Sequence, residues 1–246
     1  MHFLLLSEPG NHPKMKKSEA LGYYTPVLHL SPHLESGCQN MCPSSSKFCR
    51  EICLYYSGYG GMIHKKYKTN SVVRKRLVRT RMFANDKNFF MNQLNLDIIM
   101  AKDKAKQKGL KLAIRLNGTS DIEWENVQYM DENNDACTII EKHPDVQFFD
   151  YTKISGRMDP KYNLPKNYHL ILSFSGTNKR SCMKALKNKK NITVIFKYDL
   201  PEKFWDHKVI NGDEHDLRFL DKKPRIIGLK AKGRAKKAIN NKAIIE

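Results

Sequence analysis

The sequence predicts an α/β fold: a single domain with a mainly parallel sheet, open or shaped as an incomplete (β/α) barrel. Three observations predict it. Short segments that are apolar along most of their length recur through the chain, as strands buried on both faces do. Helical or mixed segments separate them, which is the alternation of a layered α/β domain. With 246 residues, 40% of them hydrophobic, the chain can bury one large core. A complete eight-stranded barrel takes roughly 250 residues with a helix after every strand. Here the stretch 152–167, with Pro160 and Pro165, has no helical period. No repeat or linker divides the chain, which reads as an irregular lead-in at 1–20, the domain at 21–233 with a cysteine loop at 36–61, and a basic tail at 234–246.

The elements follow in order. Pro9, Gly10 and Pro13 break up the lead-in. Thr25-Pro-Val-Leu-His-Leu30 reads as the first strand and Ser31-Pro32 stops it. The cysteine segment follows and ends in Ser57-Gly-Tyr-Gly-Gly61, where glycine opens turn conformations closed to other residues. Thr69 to Lys108 reads as helical, with Asp86 as the cap of a second helix. Phe90, Leu94, Ile98, Ala101 and Ala105 form its buried stripe and Gly109 its end. Further strands are expected at Leu110–Asn117, Val146–Tyr151, Tyr168–Phe174, Ile192–Phe196 and Arg225–Leu229.

Charge narrows the partners. Lys plus Arg number 44 against 25 Asp plus Glu, a formal net charge of +19, so the surface field draws polyanions such as nucleic acid or a nucleotide. No apolar run is long enough to span a bilayer. The apolar opening Phe3-Leu-Leu-Leu6 is too short for a signal peptide and has no basic residue before it. A cytoplasmic location without membrane contact is therefore expected.

In a reducing compartment, clustered cysteines point to metal rather than disulfides. Four of the six cysteines, Cys38, Cys42, Cys49 and Cys53, fall within sixteen residues, spaced x3, x6 and x3. Four thiolates suit structural zinc, whereas three with one open iron position suit an iron–sulfur cluster that binds a small molecule. Lys47 and Arg50 beside them favour the thiolate form. The bland reading places Cys49 and Cys53 on one face of a helix as ordinary core residues. Because the loop leaves the first expected strand directly, it stands where α/β proteins build their sites.

Three later strand ends are rich in polar groups. They are Arg115-Leu-Asn-Gly-Thr-Ser-Asp121, Phe149-Asp-Tyr-Thr-Lys153 and Leu172-Ser-Phe-Ser-Gly-Thr-Asn178. If the strands are parallel, these ends converge on one edge with the cysteine loop. Asn117, Thr119, Ser173 and Ser175 are then expected to line a cofactor pocket. Asp121 is the candidate acid or base, Ser120 and Asp150 stand beside it, and Lys153 is the candidate anion clamp. Against this, Ser120 or Asp121 would merely cap a helix, Ser175 would sit in a turn, and Asp150 and Lys153 would be a plain ion pair.

Basic residues are concentrated in two segments. Lys65, Lys66, Lys68, Arg74, Lys75, Arg76, Arg79 and Arg81 share 64–81 with no acid, and nine Lys or Arg, among them Lys230, Lys232 and Arg234, share 222–242 with none. With Tyr55, Tyr56, Tyr59 and Tyr67 nearby, they are candidates for holding a phosphate backbone and stacking on bases. The alternative is a solvated helix face and a lysine-rich tail.

Two resemblances add to this reading. The cysteine loop, including Phe48 before Cys49, resembles that of radical S-adenosylmethionine enzymes, although it departs from their three-then-two spacing; this implies S-adenosylmethionine as a candidate cofactor. Along most of the chain the sequence resembles the phage-encoded gene product 88 family, first named from mycobacteriophage genomes. The resemblance is carried by Leu21-Gly-Tyr, Cys42-Pro with Cys49 and Cys53, Arg115-Leu-Asn-Gly-Thr-Ser-Asp-Ile122, Asp145 to Lys153, Asn167-Tyr-His-Leu170, Asp216-Leu-Arg-Phe-Leu-Asp221 and Gly228-Leu-Lys-Ala-Lys-Gly233. It implies a phage or mobile-element origin, hence the host cytoplasm, and no particular activity. The leading expectation is an iron–sulfur enzyme acting on a nucleotide or nucleic acid. Its rivals are a zinc-stabilised nucleic-acid-binding protein without catalysis and a phage protein that binds a host factor.

Overall fold

Turn residues and apolar runs divide the chain into its elements. The structure, a computed structural model, describes residues 4–8, 13–62 and 70–246, and side chains 13–15 stand outside that description. The chain begins with β1 (Leu6–Ser7), α1 (Pro13–Ala20), β2 (Tyr23–Tyr24) and β3 (Val27–Leu28). The strand expected at Thr25–Leu30 is shortened to β3, and β2 lies ahead of it. Pro26, which has no N–H to give a ladder, lies between them; β2 pairs with the main sheet and β3 with β1.

Within the cysteine loop lies α2 (Lys47–Glu51), followed by α3 (Ser71–Asn85) and α4 (Lys87–Gln107). The last two meet where expected: the Asp86 carboxylate accepts from the Phe89 N–H at 3.0 Å and so caps α4. All five residues of the expected stripe, Phe90 to Ala105, are buried. Gly109 follows α4 at φ +65°, a conformation that favours glycine.

The rest of the chain supplies β4 (Lys111–Ile114), β5 (Gln128–Met130), β6 (Ala136–Thr138), α5 (Ile139–Lys142), β7 (Gln147–Thr152), β8 (Tyr168–Ser173) and α6 (Lys179–Lys187). It ends with β9 (Ile192–Phe196), β10 (Lys203–Phe204), β11 (His207–Asn211), β12 (Ile226–Lys230), α7 (Arg234–Lys237) and β13 (Ile244–Ile245). The main sheet has nine strands in the order β10-β11-β12-β9-β8-β7-β4-β2, with β13 on β9. Every pairing in it is parallel except β10 with β11. The fold is therefore a single α/β domain with an open, mostly parallel sheet, and β2 and β10 are its edges.

The alternation of side chains along these strands builds a core on one face. Ile114, Phe148, Tyr168, Leu172, Ile192 and Val194 pack with Phe83, Phe90, Leu94 and Ile98 from the long helices and with Cys182 and Leu186 of α6. Trp124, wholly buried, sits with its ring centroid 5.4 Å from that of Phe83. Burying a large apolar side chain in this way contributes roughly 1.5–3 kcal/mol. On the opposite face Ala113 and Phe149 meet Leu217, Phe219 and Tyr23.

The segment read as a basic tail carries α7 and β13. Ala235, Ala243 and Ile244 within it are buried with Ile52 of the cysteine loop, because apolar residues alternate with its lysines. β13 pairs with Ile195 and Phe196 just beyond the point where β8 pairs with Ile192 and Thr193. No helix among the described residues is long and apolar enough to cross a membrane.

Candidate functional site

Parallel strands deliver the residues that follow them to one edge of the sheet, and the cysteine loop is fastened to that edge by its own polar residues. Ser46 caps α2 by accepting from the Cys49 N–H at 3.1 Å. The same hydroxyl donates to the carbonyl of Ser175 beyond β8 at 2.7 Å. The Asp121 N–H donates to the carbonyl of buried Met41 at 2.8 Å, and the Cys42 thiol points at the Thr119 carbonyl, 3.7 Å away. Cys42, Cys49 and Cys53 are thus brought into one another's electrostatic field, which Asp121 extends to Cys42 and Lys153 to Cys53.

Burial pushes the Cys42 thiol up to about 12 and raises Cys53, against the pull of Lys153 and Arg76. Without a bound cation both are therefore thiols at neutral pH. Cys38 is exposed and its sulfur lies 3.9 Å from the Ser36 carbonyl. Among the described residues no three His, Cys, Asp or Glu side chains gather closely enough to hold a single metal ion.

The turn after β4 is built around Asn117. Its Oδ1 accepts from Ser120 Oγ at 2.8 Å, the Ile122 N–H at 3.0 Å and Trp124 Nε1 at 3.1 Å. Its Nδ2 donates to the Ile122 carbonyl at 2.9 Å. Asn117 and Ser120 are buried and bonded to one another rather than lining a pocket, and Thr119 Oγ1 donates to the Leu30 carbonyl. These three residues hold the turn against the cysteine loop. Gly118 is required by space: a Cβ there would lie 2.7 Å from the Leu28 carbonyl oxygen.

Asp121 does not cap a helix. Its Oδ2 accepts from the Lys153 N–H at 2.7 Å, and its Oδ1, buried without a hydrogen bond, lies 3.7 Å from Arg157 Nη1. Burial raises its carboxyl, while the Lys153 N–H and Arg157 pull it down. Lys153 in turn donates to Ser173 Oγ at 2.8 Å, so the ends of β7 and β8 and the turn after β4 meet there. The Ser175 hydroxyl lies 3.3 Å from Thr177 Oγ1 and its N–H donates to Asn178 Oδ1, which makes a turn of its own.

Two participants carry no sequence signal. Arg157, wholly buried, donates through Nε and Nη2 to both oxygens of Glu125 at 2.8 and 2.6 Å, and its guanidinium stacks on Tyr168 at 5.5 Å. It contributes to the field around Asp121, yet no motif or periodicity marks it. Asn241, near the chain end, donates to the Phe48 carbonyl at 3.0 Å and to Glu51 at 2.9 Å, and so pins α2.

Asp150 lies deeper than a pocket residue. Its Oδ1 accepts from the Asn117 N–H at 2.7 Å and its Oδ2 from the Tyr168 hydroxyl at 2.8 Å. Burial raises its carboxyl to about 7 in spite of Arg115 and these donors. The unfolded value is about 3.9, so between pH 4 and 7 the folded chain binds this proton more tightly. The contribution to stability is present below about pH 4 and is lost as pH climbs to about 7. His143 and His169, held down to about 4 by burial, act in the opposite sense between about 4 and 6.5. The difference between wild type and Asp150→Asn isolates the aspartate: chemical denaturation is expected to show wild type losing a few kcal/mol relative to the variant from pH 4 to 7.5. Parallel pH profiles would refute this.

The basic candidates divide. Arg79 is buried and donates to the Leu4 carbonyl at 3.0 Å, while Arg76 lies over the Tyr55 ring and donates to the Tyr55 carbonyl at 3.4 Å. Both contact the fold along the inner side of α3, and buried Arg79 is not available for phosphate contact. Arg74 and Arg81 are exposed; Lys65 and Lys66 lie outside the described residues. Lys230 pairs with Asp199 at 2.9 Å and Lys232 with Asp213 at 2.6 Å. Arg234 stacks on Tyr56 at 3.9 Å.

The family model described as Gene product 88 matches residues 4–245. The chain therefore belongs to the gene product 88 family of phage proteins. No curated protein and no solved structure matches it.

Proposed function

We propose that this member of the gene product 88 family is an iron–sulfur enzyme acting on a nucleotide or nucleic acid, with Cys42, Cys49 and Cys53 as ligands. The observation that carries the reading is that these three thiols act on one another electrostatically, together with Asp121 and Lys153, where the cysteine loop meets the turn after β4 through the Cys42 thiol and the Thr119 carbonyl. A mononuclear zinc ion needs its donors gathered around one point, and the fourth thiol, Cys38, is exposed and directed at the Ser36 carbonyl. A cluster is a cage that takes one thiolate at each of several separate corners, so it suits three thiols that share a field without converging on one ion. Metal binding drives off thiol protons, which removes the disadvantage of burial at Cys42.

When bound, a cluster with three protein ligands supplies electron transfer and one open iron position. S-adenosylmethionine is the candidate cosubstrate for that position, on the resemblance of the cysteine loop. Among the protein's own groups, Lys153 is the anion clamp and Asp121 the proton acceptor. The net charge of +19 supports an anionic substrate.

Anaerobic purification followed by incubation with ferrous iron and sulfide tests the reading. The expected result is about four iron and four sulfide per chain, as for a cubane cluster, with brown colour and charge-transfer absorbance. A colourless chain holding stoichiometric zinc would sink it.

A further inference from the structure

The edge of the sheet that carries the cysteine loop also holds an open hollow. β9 and β12 are parallel neighbours, so Lys197 and Lys230 emerge side by side at their C-terminal ends. Lys232 and Lys236 follow on the exit from β12, and together with Tyr198 they line an open cleft of about 500 Å³. Its acids are Asp199 and Asp213. Two of its ion pairs have superficial acids: the Asp199 side chain is 96% exposed and the Glu246 partner of Lys197 is 60% exposed. Exposed pairs of this kind contribute little and exchange readily, so a phosphate can take Lys230 and Lys197 without stranding a buried charge; Asp213, the 22% exposed partner of Lys232, keeps the Lys230 N–H at 3.0 Å when Lys232 is drawn away. The Tyr198 ring is 65% exposed, with the Lys197 ammonium 5.6 Å from its centroid.

We propose that this cleft binds single-stranded nucleic acid, with its lysines on successive phosphates and Tyr198 against a base. A row of separate cations beside an uncovered aromatic face calls for repeated phosphates and an unpaired base, which a single strand offers and a duplex does not. The cleft is continuous with the cysteine loop through the chain itself. After Lys232, Gly233 at φ +55° packs where a Cβ would lie 2.0 Å from Ser57 Oγ, and Arg234 stacks on Tyr56. The inference deepens the substrate part of the proposed function and rests on it there; it does not depend on the cluster.

Fluorescence anisotropy with a fluorescein-labelled oligothymidine and the full chain tests it. Lys230→Ala, Lys232→Ala and Lys236→Ala combined are expected to weaken binding at least tenfold. They should also flatten the log–log salt dependence by about 2, from three contacts at about 0.7 each. Tyr198→Ala is expected to weaken the single strand at least fivefold and leave duplex binding unchanged. Lys104→Ala, Lys108→Ala and Lys111→Ala combined remove equal charge elsewhere and are expected to have a small effect. An equal loss in that control, an unchanged salt slope in the cleft variant, or no binding by wild type would overturn the cleft. The variant with Cys42, Cys49 and Cys53 changed to serine separates the two readings. Strand binding retained by it supports the cleft whatever its iron content, and strand binding lost in it overturns the cleft as the place of binding.

Discussion

Changing Cys42, Cys49 and Cys53 together to serine is expected to lower bound iron from about four per chain to background, and Cys38→Ser to leave it unchanged. The physical ground is ligand softness: a thiolate binds iron–sulfur cages, whereas a serine hydroxyl remains protonated at neutral pH and is a poor ligand. The contrast with Cys38 follows from placement. Cys38 is exposed and points at the Ser36 carbonyl, while the other three share one field with Asp121 and Lys153. The fold itself should persist, because none of the three belongs to the packed apolar clusters. Circular dichroism and the thermal midpoint of the metal-free chains are expected to match within a few degrees. Iron and sulfide assays on reconstituted protein give the answer. Full iron in the triple variant, or iron lost on Cys38→Ser alone, would remove the proposed ligand set.

How much of this was legible in the sequence depends on whether a signal is local. The strand at Ile192–Phe196 and the stripe from Phe90 to Ala105 are periodic patterns, and both stand where the pattern puts them. The convergence of strand ends follows from parallel pairing alone, so Asp121, Lys153 and Ser173 could be grouped without coordinates. The roles of single residues were not legible. Asn117 reads as a rim residue and is a buried hub; Arg79 reads as a phosphate contact and holds the Leu4 carbonyl. In each case the deciding partner is remote in sequence or is a backbone atom, and periodicity carries no information about either. Strands β10, β11 and β13 were missed for a related reason: β10 and β13 are only two residues long, and the polar His207, Lys208 and Asn211 of β11 hide its one buried residue, Val209.

The hub makes the largest stability prediction. Asn117→Ala leaves the Trp124 indole N–H and the Ile122 N–H without their acceptor in a buried turn. Each stranded donor costs about 1–3 kcal/mol, so a loss of about 2–6 kcal/mol is expected. For a chain of this size that lowers the thermal midpoint by roughly 5–25 °C. Asn117→Asp distinguishes the bonds from mere bulk. It keeps an oxygen for Ser120, Ile122 and Trp124, but it puts a second oxygen where Nδ2 now faces the Ile122 carbonyl at 2.9 Å and Asp150 Oδ2 at 3.4 Å. Two carboxyls so close share a proton, so one ionises and the ionisation of the second is strongly opposed. Stability of this variant should therefore be nearest wild type around pH 4–5 and fall further behind as pH rises toward 8. Differential scanning calorimetry at both ends of that range measures the effect. If Asn117 instead faces a ligand, both variants would melt with wild type and the loss would appear only in ligand binding.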